Sequence, residues 1–273
     1  MKRLPCLLAL NKGRTSNRRF EVVALGNETT IYLYDVIVGT QEEADYWGGV
    51  AADTFVQTLA GISASTIHLR INSPGGDVFG ARAMEQAMRE HPANIIAHVD
   101  GVAASAASFL MTAADETEIA PGAFVMIHKA WTMAYGNSDD LKQTASMLDQ
   151  IDESLVATYA AATGQSPDDL RQWMANETWF GAEDATKRGF ATRIAGQEAT
   201  ASNGWDLSVY AHAPTLPEKP ASTLAVQIDA APIAEAMRDV LNEYGLTPTA
   251  QAGNDEVTRS EHTRRLALEL ARH

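Results

Sequence analysis

The sequence predicts an α/β fold built around a parallel sheet. Three observations predict it. Short apolar runs such as Ile31–Val38 and Ile95–Val99 have the length and composition of buried strands. Between them lie segments whose apolar residues recur at helical spacing, as Ala83, Met84, Ala87 and Met88 do. Glycine–proline punctuation, at Pro74-Gly75-Gly76 and Pro121-Gly122, falls at the junctions. Strands and helices that alternate at this length pack as parallel strands with helices on their faces.

Taken in order, Ile31–Val38 reads as a strand. A helix is expected over Glu42–Ala60, with Val50, Phe55, Val56 and Leu59 on its apolar side. Thr66–Asn72 is the next strand and Phe79–Glu90 the next helix. Asn94–Val99 follows as a strand, then Ala103–Ala114 as an alanine-rich helix. Glu116–Ala120 and Ala123–Ile127 are short strands on either side of Pro121-Gly122. Asp139–Ala162 is a long helix with the apolar stripe Leu141, Met147, Leu148, Ile151 and Leu155. Asn137 or Ser138 caps it, and Asp139 and Asp140 suit the positive end of the helix dipole. Ser166-Pro167 opens a further short helix, with proline at its first position.

After about Gly196 the character changes. Pro214, Pro217 and Pro220 fall within seven residues, which reads as a linker. Two helical pieces, 233–244 and 256–272, follow it. The expected organisation is an N-terminal extension (1–20), one domain (21–196), and a linker with a helical or partly disordered tail (197–273).

Composition narrows the function classes. A chain of 273 residues with 45% hydrophobic content can build a sizeable core. A formal net charge of −14 disfavours nucleic acid as a partner. The single Cys6 excludes an intramolecular disulfide and suits a reducing compartment. The apolar start Leu7-Leu8-Ala9-Leu10 is short, follows Pro5, and leads into Asn11-Lys12-Gly13-Arg14 with no small-residue cleavage site. No apolar run approaches the roughly 18 to 20 residues of a membrane span. A cytoplasmic protein with no membrane association is expected.

Four segments carry chemistry: Ile71–Gly76, Gly101–Ser108, Met126-Ile127-His128 and Glu177-Thr178-Trp179. They supply a serine at a strand-to-helix junction, backbone N–H groups beside it, a histidine and a carboxylate. Those are the parts of a nucleophilic acyl-transfer site. Ser105 is the candidate nucleophile, because the helix start favours developing negative charge and its alanine neighbours leave room for a substrate backbone. Ser108 is its rival, one helical turn on. His128, at the end of an apolar strand, is the candidate base. Lys129 raises a Ser–Lys alternative, but neighbours on a strand point to opposite faces, so one of the two meets Ser105.

The same segments resemble the ClpP-type serine peptidases, in particular those encoded with phage head genes. The resemblance runs over roughly residues 20 to 195. It rests on Asn72-Ser73-Pro74-Gly75-Gly76, Gly101-Val102-Ala103-Ala104-Ser105, Met126-Ile127-His128, and an acid ahead of Trp179 and Gly181-Ala182. It implies a ClpP/crotonase-type β-β-α spiral with a projecting handle helix at Asp139–Ala162. It also implies catalytic roles for Ser105, His128 and Glu177, an oxyanion hole from the N–H groups of Gly76 and Ala106, and substrate binding along Gly75, Asp77, Val78 and Phe79. Glu177 stands where the family usually has Asp, and Asn176 is the neighbouring alternative.

The implied activity is peptide-bond cleavage by a serine endopeptidase, acting without ATP or with a partner ATPase and processing capsid or scaffold proteins. Such peptidases need no metal or organic cofactor. The implied assembly is a heptameric ring or a stacked pair of rings. Two kinds of protein partner are compatible with it: an unfoldase ATPase, or a capsid or scaffold protein. The chain has no phosphate-binding loop of the G-x-x-x-x-G-K-[ST] type of its own. Two other classes share parts of this pattern: a crotonase-type acyl-CoA hydratase or isomerase, and a catalytically inactive ring-forming scaffold.

Overall fold

The structure, a computed structural model, describes residues 3–11, 19–196 and 205–214. All of them lie in a unit that ends at Pro220. The helical pieces expected over 233–244 and 256–272 fall outside the described residues.

In chain order the elements are α1 (Arg3–Asn11), β1 (Arg19–Leu25), β2 (Glu28–Tyr34), β3 (Ile37–Val38), α2 (Gln41–Trp47), β4 (Val50–Ala51), α3 (Ala52–Ala60) and β5 (Thr66–Ser73). Then come α4 (Val78–Glu90), β6 (Asn94–Ala104), α5 (Ala106–Leu110), a 3₁₀ turn (Met111–Ala113), β7 (Glu116–Ile119) and β8 (Phe124–Ile127). The last are α6 (Ser138–Thr163), α7 (Pro167–Ala175), β9 (Thr178–Gly181), α8 (Ala182–Lys187) and β10 (Arg193–Ile194).

Among the described residues, eight strands form one mixed sheet, and β3 and β4 pair separately. Strands β2, β5 and β6 run parallel, with β1 antiparallel at the edge. The long strand β6 is shared. Ile96–Val99 pair with β7, while Val102–Ala104 pair with β8. β8 is therefore parallel to β6 on one side, and it is antiparallel to β9 on the other.

Alternation explains which face is covered. Ile67, Leu69 and Ile71 of β5 and Ile95, Ala97 and Val99 of β6 are buried on the helical face, against Phe55 and Leu59 of α3 and Met84 and Met88 of α4. Each such side chain contributes about 1.5–3 kcal/mol by leaving water. The opposite face carries polar side chains across the strands. His68 Nδ1 lies 3.0 Å from His98 Nε2, and His98 Nδ1 lies 2.8 Å from a Glu118 carboxylate oxygen. Burial, and then the Arg70 charge, push the His98 imidazole below its ordinary pKa. A neutral ring with its proton on Nδ1 fits both contacts. Arg70 in turn pairs with Asp100, which accepts from the Tyr34 hydroxyl at 2.6 Å.

Three elements differ from the sequence reading. The helix expected over Glu42–Ala60 is two helices, parted at Gly48 and Gly49, whose φ values are 80° and 117°. A Cβ at Gly49 would sit 2.8 Å from the Val36 carbonyl oxygen, so the break lets the chain pass against β3. The strand expected over Ile31–Val38 divides at Asp35, whose carboxylate accepts from the Val36 N–H at 2.7 Å. The helix expected from Ala103 begins only at Ala106, because Val102–Ala104 continue β6 to pair with β8. Strand pairing overrides the helix preference of alanine there.

Helix α6 begins as read, with Asn137 as cap and a reciprocal bond from Asp140. Its apolar stripe divides. Leu155, with Val156 and Tyr159, is buried in the core, whereas Leu141 and Met147 are 45% and 42% exposed.

A second apolar cluster joins the two ends of the unit. Leu7 and Leu8 of α1 pack with Val36, Met126, Trp205 and Tyr210. The Asn11 side chain accepts from the Asp206 N–H at 2.7 Å and donates to the Asp206 carbonyl at 3.1 Å. Residues 205–214, which composition assigns to the linker, thus lie against the domain.

Candidate active site

Ser105 sits between the end of β6 and the start of α5, at φ 54° and ψ −120°. Non-glycine residues avoid this region, at a cost of about 1–3 kcal/mol. The surroundings hold it there. Its N–H donates to the Met126 carbonyl at 2.9 Å, extending the β6–β8 ladder by one bond. Its carbonyl accepts from both the N–H and the hydroxyl of Ser108, at 2.9 and 2.6 Å. With that proton committed, Ser108 Oγ accepts from the buried Tyr159 hydroxyl 2.7 Å away. Ser108 is fully buried and supports the turn, so it does not compete as a nucleophile.

Close packing around the turn requires the small residues found there. A Cβ on Gly75 would lie 2.5 Å from the Ala104 carbonyl oxygen and 2.8 Å from Ser105 Cβ. A Cβ on Gly76 would lie 1.9 Å from the Ile37 carbonyl oxygen. Ile37 bonds the residues flanking Gly76: its N–H donates to Gly75 and its carbonyl accepts from Asp77, both at 2.9 Å. Along an extended chain the polar groups alternate in direction, so the N–H of Gly76 turns away from Ile37. Gly76 lines the same cleft as Ser105. Ala106 is the first residue of α5, where an N–H has no intrahelical acceptor.

His128 directly follows β8. Its Nε2 lies 2.7 Å from Ser105 Oγ, and the residue is 8% exposed. Lys129 is turned elsewhere: its ammonium is 3.7 Å from Asp152, with the side chain 55% exposed. The Ala130 N–H also donates to Asp152, at 2.7 Å, so α6 fixes the chain leaving His128.

Glu177 directly precedes β9. The β8–β9 register ends with Ile127 paired to Thr178, and His128 and Glu177 directly adjoin that last pair on their respective strands. Glu177 is 7% exposed, whereas Asn176 caps α7 and is exposed. Glu177 also has a positive φ, 48°. Among the described residues Ser105 and Glu177 are the two non-glycine positions with positive φ. Its carboxylate accepts from the His212 N–H at 2.8 Å.

Ser105 and His128 open onto a cleft of about 400 Å³. One wall is Gly76, Asp77, Val78 and Phe79, and the other includes Met147, Leu148 and Ile151 of α6. Asp77 is extended and caps α4, its carboxylate accepting from Gly80 at 2.6 Å, and Val78 and Phe79 are already helical. The main-chain groups of Gly75 and Asp77 are already bonded: Gly75 to Ser73 and Ile37, and Asp77 to Ile37 and Ala81. Gly75 itself lies beneath the turn, against Ser105.

Sequence reasoning missed Tyr210 and His212. The Tyr210 ring stands edge-on to the His128 ring, with centroids 5.6 Å apart, and its hydroxyl donates to the Pro74 carbonyl at 2.5 Å. The bonds from Tyr210 and His212 end on a main-chain carbonyl or start from a main-chain N–H. Residue types in the sequence do not disclose such bonds.

A strained serine held against a histidine at the C-terminal ends of parallel strands has the geometry of a serine hydrolase of the α/β class. Comparison with known proteins places the chain more closely. Residues 36–198 match the family described as Clp protease, and the chain belongs to that family. It is 30% identical over 140 residues to the ATP-dependent Clp protease proteolytic subunit 2 of Mycolicibacterium paratuberculosis, spanning 50% of this chain and 70% of that one. It is likewise 30% identical over 165 residues to proteolytic subunit 3 of Streptomyces coelicolor, spanning 58% of this chain and 74% of the relative. A solved ClpP1 variant from Listeria monocytogenes shares the fold, with a TM-score of 0.51 and 22% identity over 61% of this chain and 90% of the other.

The strain at Ser105 has a measurable consequence. Glycine adopts its backbone angles without cost, so Ser105→Gly is expected to be more stable than Ser105→Ala by about 1 kcal/mol. Thermal or urea unfolding of the two variants checks this. Equal stability, or a more stable alanine variant, would show that the turn carries no strain.

Proposed function

We propose that the chain cleaves peptide bonds through a Ser105–His128–Glu177 triad. Ser105 Oγ attacks the scissile carbonyl while its proton passes to His128 Nε2. The resulting oxyanion accepts hydrogen bonds from the N–H groups of Gly76 and Ala106. His128 then gives the proton to the leaving amine, and water repeats the sequence to release the acyl group. Glu177 holds the ring and stabilises the imidazolium. Each oxyanion donor contributes roughly 3 kcal/mol of transition-state stabilisation. The 2.7 Å contact between Ser105 Oγ and His128 Nε2 carries this reading. A crotonase-type hydratase needs neither residue, and an inert scaffold has no use for a strained serine.

Labelling with a fluorophosphonate tests the chemistry. One adduct per wild-type chain, located on Ser105 and absent from Ser105→Ala, is expected. An unlabelled wild-type chain, or an adduct on another serine, would overturn the assignment.

We further propose that the chain works as a ring, as the resemblance implies. The exposed Leu141 and Met147 on α6 support a buried role for that helix in the assembly. Sedimentation of the wild type as a stable oligomer, split by Leu141→Glu with Met147→Glu, is the expected result. A wild-type monomer at micromolar concentration would contradict it.

The head-maturation subtype rests on the resemblance to phage-encoded members, and a capsid or scaffold protein is then the substrate. The names of the curated relatives support the other partner, a Clp ATPase. Incubation with assembled phage procapsids separates the two. Cleavage by the wild type but not by Ser105→Ala supports head maturation, and intact procapsid proteins count against it.

A further inference from the structure

We propose that residues Trp205–Pro214 form a strap that positions the triad, so that full activity depends on a segment lying outside the family match. The inference rests on the triad reading given above. The strap reaches the site at three points. The His212 N–H donates to the Glu177 carboxylate at 2.8 Å. The Tyr210 ring stands edge-on to His128 and to Trp179, at centroid distances of 5.6 and 5.8 Å. The Tyr210 hydroxyl donates to the carbonyl of Pro74, the residue leading into Gly75-Gly76. One tyrosine thus touches both the proposed base and the peptide that enters the proposed oxyanion turn.

The strap is itself anchored away from the chemistry. The Trp205 indole N–H donates to the Asn72 side-chain oxygen at 3.3 Å, and the same oxygen accepts from Val102 of β6. Asp206 is held by both polar atoms of the Asn11 side chain. Trp205, Leu207 and Tyr210 are buried. A Tyr210 N–H bond to the Leu207 carbonyl, 2.9 Å, closes the turn that presents the ring.

A buried carboxylate is oriented only by the donors around it, and one donor here is a main-chain N–H from the strap. The ring of His128 is confined by Tyr210 on one side. Removing either constraint lets the base drift from Ser105, and displacements near 1 Å cost rates up to about 10²-fold. Tyr210 and His212 do not line the cleft, so substrate binding should be unaffected. They are positioning residues.

The test is steady-state hydrolysis of a small fluorogenic peptide by the full chain. Tyr210→Ala and His212→Pro are expected to lower kcat by at least about 10-fold, with KM unchanged. His212→Ala keeps the main-chain N–H and should match the wild type. Tyr210→Phe keeps the ring contact, loses the bond to Pro74, and should fall between wild type and Tyr210→Ala. Each kcat is normalised to the fraction of chains that a fluorophosphonate labels at completion, so loss of folded enzyme does not enter it.

Wild-type kcat in both Tyr210→Ala and His212→Pro, with Ser105 still labelled by a fluorophosphonate, would overturn the strap and leave the peptidase reading standing. A wild-type chain that is not labelled would overturn both. If the two disruptive variants fail to fold, Tyr210→Phe decides, and a kcat equal to the wild type counts against the strap.

Discussion

The site depends on β8 being paired on both sides. Its parallel bonds to Val102–Ala104 of β6 continue one residue further, through the Ser105 N–H to the Met126 carbonyl. That bond fixes the serine relative to a strand that ends one residue before His128. The antiparallel ladder on the other edge, Phe124 with Gly181 through Ile127 with Thr178, fixes the register of Glu177. A one-residue slip on either edge would move a side chain to the opposite face and dismantle the site. The register is protected by burial, because Val125, Met126 and Ile127 are all fully enclosed.

Strain is placed where this scaffold can hold it. Ser105 and Glu177 have backbone angles that cost about 1–3 kcal/mol each in isolation. Both directly flank paired strands, so relaxing either would break ladder bonds and expose apolar surface. The two glycines beneath the serine serve the same end, since a side chain on Gly75 would push against Ser105 itself. Behind the turn, Ser108 and Tyr159 satisfy one another and the Ser105 carbonyl inside the core. Burial holds the Tyr159 phenol well above its ordinary pKa, which keeps it a donor to Ser108 throughout the neutral range.

Much of this was legible in the residues. The alternation of β5 and the stripe of α4 come from periods of two and 3.6, which packing obeys wherever one face is buried. The serine, the histidine and the glycine pair stood out because their chemistry demands particular residue types. The extension of β6 was hidden, because Gly101-Val102-Ala103-Ala104 offers small residues that fit a helix as well as a strand, and only pairing with β8 decides. The interruption at Gly48-Gly49 was written in the sequence, but apolar periodicity on both sides masked it. The strap left the least trace. Its contacts to Pro74 and Glu177 use main-chain atoms, and nearby prolines have the composition of a linker.

If the two edges of β8 assemble one catalytic unit, Glu177 acts only through His128. A mutant cycle measures this directly. Rates of peptide hydrolysis would be compared for Glu177→Ala, His128→Ala and the double variant. The account predicts that the double variant is no slower than His128→Ala alone, because the acid has nothing left to orient. Losses that multiply in the double variant would contradict it, and would mean that the carboxylate and the imidazole contribute independently.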